Sequence, residues 1–422
     1  MKVLIKRAII VSPSSPFHGK LKDIFIDNGT ISEIGTNLKK DADEIVDVKG
    51  IHVSCGWIDC FANFCDPGQE FKETLETGAN AAAAGGFTQV MLIPNTNPVV
   101  YNKSQVEYLK QKSKELPVHI LPIGSVTKNA EGKELSEMYD MYNTGAVAFS
   151  DGTKPVQSSG ILQKALEYLL AINATIIQLP DDKSIGTSGL INEGETSVKL
   201  GLAGKPALSE ELMIARDIEL ARYTGSKIHF TGISTAKSLK LIAAAKKEKL
   251  RVSCSVSPHH LFFCEEDLMT YDTNLKVNPP LRTKKDRDTL RNGIKNGLID
   301  FIASHHQPQD WDSKVCEFEY AKNGMEGLES VFGVARICDV SAENFVKMQT
   351  ENIRNIFKIE MPSFEKGAKA NVTIFLPDEE FVFEEKHIYS KCRNNAFIGK
   401  MLKGRAIGII NGDKLFLSQK AF

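Results

Sequence analysis

Residues 56–93 read GWIDCFANFCDPGQEFKETLETGANAAAAGGFTQVMLI, and the rhythm of this stretch decides the fold. A short apolar run, Trp57–Asn63, has the length of a strand. Glu70–Ala84 follows, rich in alanine and stopped by Gly85-Gly86, a helix C-terminal signal. A second apolar run, Thr88–Ile93, completes the unit. Strand, helix and strand in that order form the unit of an α/β fold built on parallel strands.

The same alternation continues outward. Further apolar runs fall at Val118–Ile123, Ala146–Phe149, Thr175–Leu179, Lys227–Thr231, Arg251–Val256 and Ile299–Ser304. Among the helical segments, Ser209–Tyr223 opens on Ser209 and two glutamates and ends before Gly225. Ser234–Lys249 lines up Ala236, Leu239, Ile242 and Ala243 on one face, and Asp286–Asn296 and Ser341–Phe357 follow. Eight strand-length runs alternating with helices predict an α/β fold of the closed (β/α)8 TIM barrel type. An open doubly wound sheet is the alternative, but no GxGxxG follows the first strand.

Both flanks change character. Val3–Val11 and Asp23–Ile34 are rich in β-formers, with a hairpin turn at Asn28-Gly29. Ala370–Phe375, Phe381–Phe383, Ala406–Asn411 and Lys414–Ser418 do the same at the other end, around a turn at Asn411-Gly412-Asp413. Residues 1–55 and 361–422 are therefore expected to meet in one small composite β-domain, with residues 56–360 as the barrel.

Composition narrows the function. The chain has 422 residues, 42% hydrophobic and 25% charged, with Lys plus Arg 52 against Asp plus Glu 53. A net charge of −1 lacks the electrostatic footprint of a nucleic-acid binder or a polybasic membrane anchor. Val3, Leu4 and Ile5 between Lys2 and Lys6-Arg7 are too few for a signal-peptide core, and no run approaches the roughly 18 apolar residues of a membrane span. The eight cysteines include no CxxC pair, so neither a disulfide framework nor a zinc ribbon is indicated and a reduced, cytoplasmic setting is expected. Cys55, Cys60 and Cys65 recur every five residues, a spacing that alternates faces on a strand. Buried structural roles are expected, with Cys60 facing away from the barrel interior and Cys65 at the rim the one to test for reactivity.

Several segments together resemble the dihydroorotases of the amidohydrolase superfamily, of the long type related to allantoinases and hydantoinases. They are Gly85-Gly86-Phe87-Thr88 with Pro94-Asn95-Thr96-Asn97-Pro98, then Gly145-Ala146-Val147-Ala148-Phe149-Ser150-Asp151 and Asn192-Glu193-Gly194-Glu195. Pro258-His259-His260-Leu261 and Lys276-Val277-Asn278-Pro279-Pro280-Leu281-Arg282 complete the set. The resemblance implies hydrolysis of a cyclic amide by one or two zinc ions at the C-terminal mouth of the barrel.

The ligand places the resemblance points to are altered in this chain. Phe61 and Asn63 stand where a His-x-His pair belongs on the first strand, and Cys65 stands where an arginine would grip a substrate carboxylate. Leu179 and Gly232 replace histidines at the fifth and sixth strands. His305 replaces the aspartate at the eighth, and Gln309 a further histidine. Asp151 survives, followed by Gly152 where a second acid is usual. Zinc needs three or four donors around a point, and Phe61, Leu179 and Gly232 supply none.

The resemblance thus implies a pseudo-dihydroorotase of pyrimidine biosynthesis: no catalytic residue, no metal and no cofactor, with Cys65, Asn95, Asn278 and Gln309 as a vestigial ligand-binding set. Asn95 and Asn278 also fit a purely structural role beside prolines. A homodimer and a partnership with aspartate carbamoyltransferase are implied by the family alone. The alternative is an active cyclic amidohydrolase, interconverting dihydroorotate and N-carbamoyl-aspartate, with metal on Asn63, Asp151 and His305. A binding module without turnover is a third reading. His305 and His306 are adjacent on a strand, so at most one faces the mouth. His259-His260 reads as structural. Phe61 and Leu179 predict a smaller, partly apolar mouth.

Overall fold

In the computed structural model, residues 1–13 and 15–418 are described. Two eight-stranded sheets carry the molecule, and a two-stranded ribbon is added to them. The first sheet uses β1 (Lys2–Val11), β2 (Leu21–Asp27), β3 (Thr30–Gly35), β4 (Glu44–Val46) and β5 (His52–Cys55). The barrel follows as β6 (Trp57–Ala62), β7 (Phe87–Leu92), β8 (His119–Gly124), β9 (Ala148–Phe149) and β10 (Thr175–Gln178). After a ribbon of β11 (Ile191–Asn192) and β12 (Gly204–Lys205), it resumes with β13 (Lys227–Phe230), β14 (Val252–Val256) and β15 (Phe301–Ile302). Strands β16 (Asn371–Val382), β17 (Met401–Asn411) and β18 (Lys414–Leu417) return to the first sheet.

The order β6-β7-β8-β9-β10-β13-β14-β15 is parallel throughout, a nearly closed barrel as the alternation predicts. Parallel strands are covered on both faces, so they read as continuous apolar runs; every residue of β6 is buried. The seam between β15 and β6 is held by a side chain. Asp59 accepts bonds from the backbone N–H and the hydroxyl of Ser304, both at 2.7 Å, and Asn63 N donates to His306 O at 2.9 Å just beyond. Burial pushes the Asp59 carboxyl up to about 6, and the Ser304 bonds oppose that rise.

The two chain ends meet as expected. Strand β5 pairs in parallel with β1 and antiparallel with β16, in the register Val372↔Cys55 to Phe375↔His52. Trp57 ties the layers: its ring packs on Phe87, Phe332, Phe345 and Phe375, and its Nε1 donates to Ser54 Oγ at 2.9 Å.

Helix boundaries depart from the sequence reading in two places. The first helix runs Leu75–Ala84, not from Glu70, because Thr74 and Thr77 exchange capping bonds of 3.0 and 3.1 Å. Residues 70–73 become part of the rim instead. Ser341–Phe357 divides into Ala342–Lys347, a π-turn at Met348–Asn352, and Ile353–Phe357, with Gln349 in the turn donating to Ile302 O at 2.7 Å. The helix Lys103–Ser113 escapes the periodicity argument because it buries only Val106, Leu109 and Ser113. Among the described residues, no helix is long and apolar enough to cross a membrane.

Candidate ligand site at the barrel mouth

The C-terminal ends of four barrel strands converge on one floor. The Phe61 ring, at the end of β6, lies 4.8 Å from the His305 ring, which follows β15, tilted by 34°. Gly232, after β13, is close enough that an added Cβ would sit 2.5 Å from His305 Cε1 and 3.2 Å from Leu179 Cδ1. Four residues far apart in sequence, at places where the resemblance expects metal ligands, thus form a contiguous plug of ring and aliphatic carbon.

The donors left among these residues are already engaged. Ser255 donates its hydroxyl to Thr231 Oγ1 at 3.0 Å, which leaves the Thr231 hydrogen for His305 Nε2, 2.9 Å away. Asn63 Oδ1 accepts from Cys65 N at 2.8 Å. Asp151 accepts from Thr127 N at 2.9 Å and from the Thr127 hydroxyl at 2.5 Å. Burial raises Asp151 to about 6 against those bonds. The three donors of the atypical-metal alternative therefore each serve a local bond. Among the described residues, the one cluster of three or more His, Cys, Asp or Glu side chains with metal-ligand spacing is His306, Glu326 and Glu329, away from this floor.

Backbone geometry locks two of the changes in place. At Gly152, φ is +63 and a Cβ would fall 1.7 Å from Asn95 Oδ1. Asn95 itself is pinned, donating to Asp151 O at 3.0 Å and accepting from Thr153 N at 2.9 Å. An acid at position 152 has no room beside it. Gly232 has φ +65 and faces His305. Gly232→His on its own should therefore destabilise the fold, by about 2–4 kcal/mol from left-handed strain plus overpacking. Urea unfolding of the variant, with and without His305→Asp, measures this; the second change should recover part of the loss.

His305 is also an acid sensor of stability. Burial, with the His260 charge adding, drives its pKa down to about 3. A folded pKa below the ordinary value near 6.5 means the neutral ring contributes fully above that pH and loses the contribution as pH falls toward 3. His305→Asn should lose less stability than the parent between about pH 7 and about pH 4, read as the shift in urea midpoint.

Above the floor lies a cavity of about 440 Å³. Leu179 and Val99 are its apolar members, while seven amide side chains and four lysines, Lys72, Lys154, Lys183 and Lys322, make the walls, with no acid among them. The mouth is partly apolar at its floor, as expected, while amides and lysines make most of its walls. Asn278 Oδ1 accepts from Lys205 Nζ at 3.0 Å, and Lys205 is paired with Asp181 at 2.7 Å. Gln309 donates through Nε2 to Asn323 O at 2.8 Å and keeps Oε1 buried without a partner. Such a lining can hold a small anionic or amide-bearing molecule.

Of the vestigial set, Asn95, Asn278 and Gln309 line this cavity; Cys65 does not. It is 2% exposed, and burial pushes its thiol up to about 12, so Cys65, singled out for a reactivity test, is buried like the other two cysteines of its series. Cys60 is buried with Sγ 3.2 Å from Met91 Sδ. His260 is satisfied by Ser257 Oγ at 2.7 Å and Pro280 O at 3.2 Å, as a structural histidine should be. The four wall lysines had no sequence signal, being four of 52 basic residues spread along the chain.

Comparison with known proteins is consistent with this architecture. The profile of the dihydro-orotase-like family matches residues 51–238. The chain is 39% identical to a dihydroorotase of Pelotomaculum thermopropionicum, covering 100% of this chain and 99% of that one. It is 37% identical to a dihydroorotase of Aquifex aeolicus, covering 98% and 99%. Among solved structures, the L-hydantoinase (dihydropyrimidinase) of Arthrobacter aurescens superposes with a TM-score of 0.85 at 22% identity, over 98% of this chain and 95% of that one, a likeness of fold.

Proposed function

This chain belongs to the dihydroorotase family, and from that premise we propose that it is a member of pyrimidine biosynthesis whose barrel mouth binds rather than hydrolyses. Its role is then structural or regulatory, with aspartate carbamoyltransferase as the partner the family suggests. The observation that carries this reading is the floor itself. Phe61, Leu179 and Gly232 offer no side-chain electron pair, and Asn63, Asp151 and His305 spend theirs on Cys65, Thr127 and Thr231 respectively. The residues present do not fit the family's zinc. The amide and lysine walls suit the carboxylates and ureido groups of dihydroorotate or N-carbamoyl-aspartate without turnover.

A second reading, an active dihydroorotase with an atypical metal site, is favoured by a different observation: relatives 37–39% identical over nearly the whole chain bear that enzyme's name. It requires Asp151 to leave Thr127 and Asn63 to leave Cys65. Two measurements separate the readings. Ring opening of dihydroorotate that added zinc supports and a chelator abolishes favours the enzyme. Co-elution with aspartate carbamoyltransferase on a sizing column, without turnover, favours the partner role.

A further inference from the structure

Single apolar side chains on a surface need no explanation, whereas a cluster of them points to association. Twenty large apolar side chains stand exposed among the described residues, and six of these sit on three short segments beside the barrel mouth. Val198 lies on the helix Glu195–Leu200, Met269 on the turn Glu265–Thr270 and Tyr271 just after it. Trp311, Val315 and Tyr320 lie on the loop after β15, whose flanks Gln309 and Lys322 line the mouth cavity. Trp311 and Tyr320 are each 72% exposed.

Backbone and side-chain bonds fasten the three segments into one lobe. Tyr271 donates its hydroxyl to Leu200 O at 2.8 Å, and its ring lies 6.5 Å from that of Phe318. Two buried lysines clamp the loop. Lys276 Nζ donates to Phe318 O at 2.6 Å and to Glu319 O at 2.8 Å, and Lys314 Nζ donates to Thr273 O at 2.9 Å. Thr273 returns its hydroxyl to Lys314 O at 2.6 Å, and Val315 N closes a turn onto Trp311 O at 2.8 Å. Turning the rings inward would break these bonds, so the apolar surface is held outward and ordered before any partner arrives.

Charge selects the occupant. On residues 195–200, 265–276 and 310–320 the acids Glu195, Glu266, Asp267, Asp312, Glu317 and Glu319 are exposed. Among the described residues only Glu195 of these six enters an ion pair, with Lys199 at 2.8 Å, and Lys199 is the one exposed cation on the three segments. The whole chain carries a net charge of −1, so this acidic excess is local. Two such faces brought together would set acids against acids, and a nucleic-acid backbone or an anionic lipid surface would be repelled in the same way. Tryptophan and tyrosine are the residue types that dominate interface centres. We propose that this lobe is the docking surface for a partner protein that presents basic side chains around an apolar centre. It does not rest on the reading of the mouth.

Trp311 reports on the lobe directly, because Trp57, the other of the two tryptophans, is fully buried. The probe is an amphipathic helical peptide of leucine and lysine, titrated into the full chain at physiological salt beside a leucine and glutamate counterpart. Binding of the lysine peptide with a blue shift of Trp311 emission is expected, and no binding of the glutamate peptide. Asp312→Lys, Glu317→Lys and Glu319→Lys together should weaken binding at least about tenfold, and Trp311→Ala, followed by peptide anisotropy, at least about fivefold. All four positions are exposed, and urea midpoints check that the variants fold. No blue shift, equal binding of the glutamate peptide, or undiminished binding by the charge-reversed variant overturns the proposal. Sedimentation of the free chain that shows a dimer lost in Trp311→Ala would assign the lobe to a second copy and overturn it as well.

Discussion

Dihydroorotate mixed with the zinc-supplemented protein at neutral pH is expected to open no faster than in buffer. A catalytic metal lowers the pKa of its water from about 15.7 to about 7, so under the proposed reading, in which the mouth holds none, the protein forgoes on the order of eight decades of hydroxide. A positioned general base recovers only about two to four of those decades. Asp151 is committed to Thr127, and no Asp, Glu or His lines the cavity. Single reversions should not restore the reaction, because position 152 cannot accept a side chain beside Asn95 and position 232 cannot accept one beside His305. A chelator-sensitive turnover above about 1 per second, an ordinary enzyme's rate, would sink the non-hydrolytic reading.

Phe61→Ala is expected to cost about 3–5 kcal/mol of folding stability, the range for emptying a buried aromatic site. Phe61 is 1% exposed and packed against the tilted His305 ring, and it sits at φ 98, a conformation that a bulky residue holds only when packing enforces it. Removing the ring opens a cavity under the mouth and exposes the His305 imidazole, whose partner Thr231 lies on one side only. Phe61→His, the residue the family would place there, keeps some of the volume but sets a second imidazole against His305. Its loss should fall between those of the parent and the alanine variant. Denaturant midpoints measure all three. A cost below about 1 kcal/mol for Phe61→Ala would mean that the floor is not held by packing.

Much of this protein was legible one residue at a time. The eight apolar runs fall on the barrel strands, to within two residues at most ends, because a parallel strand covered on both faces needs little but apolar side chains. Asn28-Gly29 and Gly412 mark turns because their backbones take positive φ, which those residue types tolerate. The altered ligand places at 61, 63, 179, 232 and 305 are likewise matters of residue identity, and identity decides whether a side chain has an electron pair to give. The sequence by itself therefore determined the barrel, the composite sheet and which side chains form the floor.

What only the tertiary structure decided is where the remaining polar atoms spend their bonds. Asp151 looked like a surviving ligand and is held by Thr127, 24 residues away in sequence. Cys65 looked like a rim thiol and is buried. The partly apolar mouth takes most of its walls from lysines and amides drawn from loops across the barrel, which no local pattern announces. His306, Glu326 and Glu329 meet only because the seam brings them together. Strand and turn propensities act over a few residues, whereas hydrogen-bond partners and electrostatic fields act through space. Only closure of the barrel sets those distances.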